Sequence, residues 1–204
     1  MGLKHQAAST RKWRAAIRQV ETHFPHHLPP ILFLTDPDRV PNPIGAIRAL
    51  PKGSAVIYRH FGETDRQSQG AAMKAVCADS NLRFLISADP GLALALKADG
   101  VHWPEAKLPS SRHWRGRFAL QTASAHSIRA IKRAEQARMD GVLFSAIFAS
   151  NSPNAGKPIG PTRLRNARKQ TTTPVYALGG ITPLNACRVA DTCGLAAIDG
   201  LVSS

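Results

Sequence analysis

The sequence predicts an α/β fold, a TIM (β/α)8 barrel with its last helix missing and an extra N-terminal helix. Short apolar runs alternate with helix-forming segments along the 204 residues, giving eight successive strand positions. Strands alternating with helices at this spacing are typical of a closed parallel barrel. With 43% apolar residues the chain can bury one substantial core. We expect residues 1–30 to form a helix and connector, and residues 31–204 to form the barrel.

The N-terminal segment is predicted to be an amphipathic helix over about residues 8–23, with Trp13, Ile17 and Val20 on its apolar face. Its Arg-rich, acid-poor composition also resembles an organellar transit peptide, but an apolar face needs a surface to pack against. Strands one and eight are neighbours in such a barrel. We therefore expect this helix to cover the side that the missing last helix leaves bare, with Pro25–Pro30 as a stiff connector.

The eight strands are predicted where short apolar runs end in polar or glycine-containing turns. These runs lie at residues 31–35, 55–58, 84–86, 99–103, 118–122, 142–144, 175–178 and 196–198. Helices are predicted between them at about residues 65–78, 92–96, 128–138, 164–169 and 184–190. A long loop rich in Ser, Asn, Pro and Gly follows the sixth strand.

The seventh strand is the centre of the predicted site, because two glycines follow it directly. Gly179 and Gly180 let the backbone approach a ligand closely and expose amide groups. Thr182-Pro183 is typical of an N-cap followed by the first residue of a helix. A strand, a glycine turn and a helix start in this order favour an anion. The two glycines are therefore predicted to cradle a phosphate.

The charge of the chain favours anionic partners. Its formal net charge is +14 and its pI is near 10.7, which suits phosphorylated small molecules or nucleic acid. The basic residues are scattered and no helix-turn-helix, zinc-finger or RNP pattern accompanies them, so nucleic acid is the minority hypothesis. Three cysteines without metal-ligand spacing predict a reducing, cytoplasmic location. No apolar run approaches the roughly 20 residues that span a bilayer.

Polar side chains at the carboxyl ends of the strands form the candidate site, because active sites of such barrels lie there. Arg59 could bind an anion through two hydrogen bonds, and His126 could transfer protons near neutral pH. Arg59 could instead be a rim salt-bridge partner, His102 a core histidine, and His126 a helix-start residue bonded to backbone. The candidates are Asp36, Arg59, Ser87, Asp89, His102, Ser124, His126, Ser145, Ser150, Gly179, Gly180 and Asp199.

Taken in order, these strand ends resemble the thiamine-phosphate synthase/TenI superfamily over nearly all of residues 31–200. The motifs that carry the resemblance are Leu34-Thr35-Asp36, Tyr58-Arg59, Gly100-Val101-His102, Ser124-Ala125-His126 and Gly179-Gly180-Ile181. The resemblance implies a synthase that joins hydroxymethylpyrimidine diphosphate to a thiazole phosphate, releasing diphosphate and using magnesium. It also implies a TenI branch that keeps the thiazole-phosphate site, some members of which tautomerise a thiazole through a histidine at the position of His126.

The departures from the synthase pattern concentrate on the diphosphate and magnesium half of the site. Of the family's Gln-x-Arg-x-Lys motif, this sequence keeps only the arginine, Arg59. Ser87 and the alanine after it stand where the family has an Asn-Asp pair, and the acidic residue after His102 is absent. Asp89 lies one position after the place of the family's aspartate and is the remaining candidate metal ligand. Magnesium usually needs one or two carboxylates besides the substrate's phosphates, so bound Mg2+ and full synthase activity are both doubtful.

The thiazole-phosphate half is expected to be intact, with the glycines and the residues after strand eight converging in one pocket of amide donors sized for a phosphoryl group. The resemblance implies phosphate binding by Arg59, Ser87, Ser150, Ser152, Gly179, Gly180, Val202 and Ser203, with Ser124 and His126 as catalytic residues facing the pocket. Three functions stay open: an impaired synthase, a TenI-like tautomerase, and a non-catalytic basic module. Expected partners are the phosphorylated thiazole and pyrimidine precursors of thiamine, and a homodimer is left open.

Overall fold

The structure, a computed structural model, describes residues 2–60, 62, 64–150 and 156–201. Parallel strands close into a barrel in sequence order, and β1 pairs with β8 to complete it. This confirms the predicted TIM-type barrel. The strands are β1 Ile31–Leu34, β2 Ala55–Tyr58, β3 Arg83–Ser87, β4 Gly100–Trp103, β5 Leu120–Ala125, β6 Gly141–Phe144, β7 Val175–Ala177 and β8 Gly194–Ala197.

Helices form the outer layer of the barrel. The α-helices are α1 Gly2–Glu21, α2 Pro43–Arg48, α3 Arg66–Asp79, α4 Pro90–Ala95, α5 Ile128–Gln136 and α6 Gly160–Arg168. Narrower 3-10 segments follow β4, β7 and β8, at Glu105–Trp114, Ala186–Arg188 and Asp199–Leu201. None of the helices in the described part of the chain has the length and apolar character that a bilayer crossing requires.

Helix α1 packs against β8 and the 3-10 segment after β7. Its Trp13, Ile17 and Val20 are buried in the same hydrophobic core as the strands. Just beyond the helix, Phe24 meets the ring of Tyr176 on β7 edge-on, with 5.0 Å between the centroids. The N-terminal helix therefore covers the barrel beside β8, as expected from packing need.

The prediction for the fifth strand was wrong by two to three residues. The apolar pair Phe118-Ala119 lies outside β5, half-buried and exposed respectively, whereas the polar Gln121 and Thr122 are buried within it. The Gln121 side chain accepts a hydrogen bond from Trp103 Nε1 at 3.0 Å. Because buried partners satisfy these polar groups, the position of the strand could not be predicted from apolar residues alone.

The predicted helix over residues 184–190 was also wrong, since the only helical structure there is the 3-10 segment Ala186–Arg188. Asn185 holds the chain in a turn: its side chain accepts from the amide of Thr182 at 2.9 Å and donates to the carbonyl of Gly180 at 2.8 Å. Leu184, expected to begin a helix, is 78% exposed.

Candidate functional site

The turn after β7 has the backbone conformation that its glycines predict. Gly179 and Gly180 have φ angles of +93° and +64°, in the left-handed region that side chains rarely adopt. A Cβ on Gly180 would lie 2.1 Å from the carbonyl oxygen of Ala149, so this glycine also permits close backbone packing against the loop after β6. Within the described residues, the amides of Gly179, Gly180 and Ile181 donate no hydrogen bond to backbone.

A small cavity adjoins this turn at the carboxyl ends of β7 and β8. Its lining residues include Arg39, Ser150, Gly179, Gly180, Ile181 and Asp199. The glycine turn and the end of β8 thus lie side by side, but their predicted convergence with the last residues of the chain stays a prediction. The predicted size was wrong: the cavity measures about 20 Å³, which holds roughly one water molecule and is too small for a phosphoryl group. Val202 and Ser203, and likewise Ser152, lie outside the described residues.

An ion pair stands in this cavity. Arg39, in the loop after β1, donates from Nη2 to Oδ2 of Asp199 at 2.6 Å. The side chains are 17% and 48% exposed, so the pair is partly hydrated and contributes only about 0–1 kcal/mol. A cation therefore already lies beside the three amides, paired with a carboxylate of the chain itself.

Arg59 is held at the end of β2 by the end of β1. It donates through Nε to the carbonyl of Thr35 at 3.0 Å and through Nη2 to Asp36 at 3.2 Å. Burial lowers the pKa of Arg59; Asp36 opposes that change and the charge of nearby Arg39 adds to it. Arg59 forms the rim salt bridge considered from the sequence, and part of its hydrogen-bonding capacity is already used.

A polar chain crosses the barrel interior between β4 and β5. His102 is buried, with Nδ1 at 2.9 Å from Thr122 Oγ1 and Nε2 at 2.9 Å from Ser124 Oγ. Burial, followed by the charge of Arg59, lowers the pKa of His102 to about 3. The imidazole is therefore neutral, and His102 is the satisfied core histidine considered from the sequence. On neighbouring β3, the buried Ser87 hydroxyl has no hydrogen-bond partner among the described residues.

His126 lies at the rim and its side chain is 64% exposed. Its Nδ1 donates to Oε2 of Glu105 at 2.9 Å, and its backbone amide donates to the same oxygen at 3.0 Å. Arg133 on α5 donates to Oε1 of Glu105 at 2.6 Å. Burial raises the pKa of Glu105, but these hydrogen bonds and charges outweigh burial, so the pKa is lowered. Ser124 and His126, expected to face one pocket, make separate sets of contacts.

Asp89 was the candidate metal ligand, and both of its oxygens have protein partners. Oδ1 caps α4 by accepting from the amide of Leu92 at 2.9 Å, and Oδ2 accepts from Arg66 Nη1 at 2.7 Å. Among the residues that the structure describes, no group of three or more His, Cys, Asp or Glu side chains could hold a metal ion. Both oxygens of Asp89 are thus already engaged, and its role as a metal ligand stays a prediction.

Sequence reasoning missed three residues of this rim: Arg39, Arg66 and Glu105. Arg66 donates to Asp89 and to the carbonyl of Ser87 at 3.2 Å, next to the Tyr58 ring. Arg39 and Arg66 lie several residues beyond the strand ends, whereas most of the predicted site residues directly follow a strand. Three charged residues, Asp36, Asp38 and Arg39, follow β1 closely, and this cluster could have pointed to Arg39.

These features define a TIM-type barrel whose candidate anion site lies at the carboxyl ends of its strands, after β7 and β8. Residues 34–201 match the family model described as thiamine monophosphate synthase. The chain belongs to this thiamine monophosphate synthase family.

Known relatives agree with the family match. A thiamine-phosphate synthase of Chlorobium limicola is 31% identical over 164 residues, 78% of either chain. One of Saccharophagus degradans is 33% identical over 129 residues, 61% of this chain and 58% of that relative's length. The structure of a thiamine phosphate pyrophosphorylase from Pyrococcus furiosus matches with a TM-score of 0.71 at 21% identity, covering 82% of this chain and 84% of the other; this last likeness concerns the fold.

Proposed function

We propose that this chain binds a phosphorylated thiazole at the carboxyl end of the barrel and has lost most of the synthase reaction. The observation that carries the proposal is the turn of Gly179 and Gly180, where three consecutive amides and the Arg39 guanidinium adjoin one cavity. Backbone amides at a glycine turn and a nearby guanidinium are the donors that a phosphate monoester prefers. The cavity must widen to admit the ligand.

The proposed loss of synthase activity follows from the diphosphate half of the site. Thiamine-phosphate synthases use Mg2+, and their chemistry rests on positioning two substrates and stabilising the departing diphosphate. Here Asp89 is occupied by Arg66 and by the cap of α4, while Arg59 is occupied by Asp36 and Thr35. Few groups remain to hold a diphosphate with its metal, so the protein would position the thiazole without activating its partner.

Mixing the protein with hydroxymethylpyrimidine diphosphate, thiazole phosphate and Mg2+ tests this proposal. We expect thiamine phosphate to form at least about 100-fold more slowly than with the Chlorobium limicola relative, since the loss of preorganised charge stabilisation commonly costs that factor. Thiazole phosphate alone should still bind in a calorimetric titration. Turnover at ordinary enzyme rates would refute the proposed loss of synthase activity. An absence of binding would refute thiazole phosphate as the ligand.

A second candidate is a TenI-like tautomerase that uses His126. One observation favours it: because Nδ1 of His126 donates to Glu105, its Nε2 is the basic nitrogen of the neutral ring. A carboxylate that fixes a histidine in this way is a common arrangement for a general base. His126→Asn should then abolish isomerisation of a thiazole carboxylate phosphate, while Glu105→Gln should reduce it. Isomerisation that His126→Asn leaves unchanged would exclude the role.

A further inference from the structure

Arg39 and Asp199 join the two segments that flank the junction of the first and last strands. Arg39 lies in the loop that follows β1, Asp199 opens the 3-10 segment after β8, and β1 and β8 are paired neighbours. Both side chains line the cavity beside the glycine turn, together with Ser150. Their contact at 2.6 Å leaves space for roughly one water molecule.

The contact places a carboxylate against the donors that an incoming phosphate would use. Asp199 satisfies the Arg39 guanidinium in the way that one phosphate oxygen would. A phosphate monoester carries up to two negative charges and offers three oxygens, so it could engage both the guanidinium and the amides of the glycine turn. The Asp199 side chain is 48% exposed, so water can hydrate the carboxylate at little cost once it leaves Arg39.

We propose that Arg39 is the phosphate-recognising residue of this barrel, and that Asp199 occupies it until a phosphate monoester displaces the carboxylate. The inference rests on the proposed function, since it concerns the same site. It assigns the phosphate contact to a side chain as well as to the glycine amides. Asp199 also weakens the binding of anions that carry too little charge to displace it from Arg39.

Calorimetric titration of the wild type and four variants with thiazole phosphate tests the assignment. Asp199→Asn should bind about five- to tenfold more tightly than wild type, because a competing charge and its repulsion are removed. Arg39→Gln should bind at least about tenfold more weakly. The double variant should lose the gain of Asp199→Asn. The matched control is Asp191→Asn, which breaks the exposed Arg165–Asp191 pair on another face and should bind like wild type.

A second ligand separates phosphate recognition from general effects. The dephosphorylated thiazole alcohol should bind wild type and Asp199→Asn equally, because it has no charge to compete with Asp199. If Asp199→Asn does not fold, Asp199→Ser serves in its place, with circular dichroism as the check.

The outcomes distinguish the two proposals. If wild type binds thiazole phosphate but Asp199→Asn does not bind it more tightly, the role of Asp199 is overturned and the proposed function stands. If Arg39→Gln binds like wild type, the recognition role of Arg39 fails in the same way. If wild type does not bind thiazole phosphate, the proposed function itself fails.

Discussion

At the scale of single residues, His102 links the candidate site to the stability of the barrel. Its pKa of about 3 in the folded protein lies below the ordinary histidine value of 6.5, because burial disfavours the charged ring. Between these values the unfolded chain binds a proton that the folded protein does not. Stability should therefore fall as the pH is lowered from about 6.5 towards 3. At neutral pH the ring is neutral in both the folded and the unfolded chain, so its titration does not lower the stability.

Unfolding in urea at pH 7.5 and pH 4.5 measures this effect. Between the two conditions, wild type should lose about 2 to 3 kcal/mol more than His102→Gln, since one pKa unit corresponds to about 1.4 kcal/mol. Other groups titrate too, but they are common to both proteins and cancel in the difference. His113→Gln removes an exposed histidine and should retain the wild-type pH dependence. Equal losses in wild type and His102→Gln would contradict a buried neutral imidazole.

Gly180 offers a second residue-scale prediction, with Gly53 as its matched control. Both have a positive φ, +64° and +80°, but a Cβ on Gly53 would meet nothing within 4 Å. Gly53→Ala should therefore cost only the left-handed strain, about 1 kcal/mol. Gly180→Ala must also push the loop at Ala149 away, which should cost roughly 2 kcal/mol more. Urea midpoints compare the two, and similar costs would mean that the turn is not packed as described.

At the scale of elements, the barrel depends on α1 as part of its core rather than as an attachment. Val20 on this helix is fully buried, whereas Arg18 in the same turn region is exposed. Val20→Ala should lower the free energy of unfolding by about 2 kcal/mol through the cavity it leaves. Arg18→Ala should change it by less than about 0.5 kcal/mol. If Val20→Ala leaves the global unfolding transition unchanged, α1 unfolds separately from the barrel.

The strands and helices also show which elements could be predicted from the sequence and which could not. Strand positions such as Ala55–Tyr58 could be predicted because a strand buried on both faces must be continuously apolar. The fifth strand was misplaced because Gln121 and Thr122 have buried hydrogen-bond partners, and such pairing depends on residues far apart in sequence. The helix after β7 was wrongly predicted because one side chain, Asn185, holds a turn there.

In the candidate site, too, local features could be predicted, whereas contacts between distant residues could not. The glycine turn could be predicted because it is local: a buried strand followed by two glycines restricts what the backbone can do. The pairing of Arg39 with Asp199 could not, since 160 positions separate them and only closure of the barrel brings them together. Likewise, Asp89 could be named from its position, whereas its occupation by Arg66 depends on how α3 packs.

At the scale of the whole molecule, the excess of 27 basic over 13 acidic residues contrasts with the rim of the barrel. There Arg39, Arg59 and Arg66 each contact a carboxylate. The unbalanced positive charge therefore lies mainly elsewhere, and it should raise the local concentration of any anion. This general attraction could be mistaken for a nucleic-acid function.

Filter binding of duplex DNA against salt concentration separates general attraction from a dedicated nucleic-acid module. We expect weak binding, with a dissociation constant of about 10⁻⁴ to 10⁻⁶ M at physiological salt and a steep decline as salt rises. Because a scattered surface charge would cause it, saturating thiazole phosphate should not displace the DNA, and Arg39→Gln should change its affinity little. Submicromolar, sequence-selective binding that thiazole phosphate abolishes would instead make the barrel mouth a nucleic-acid site.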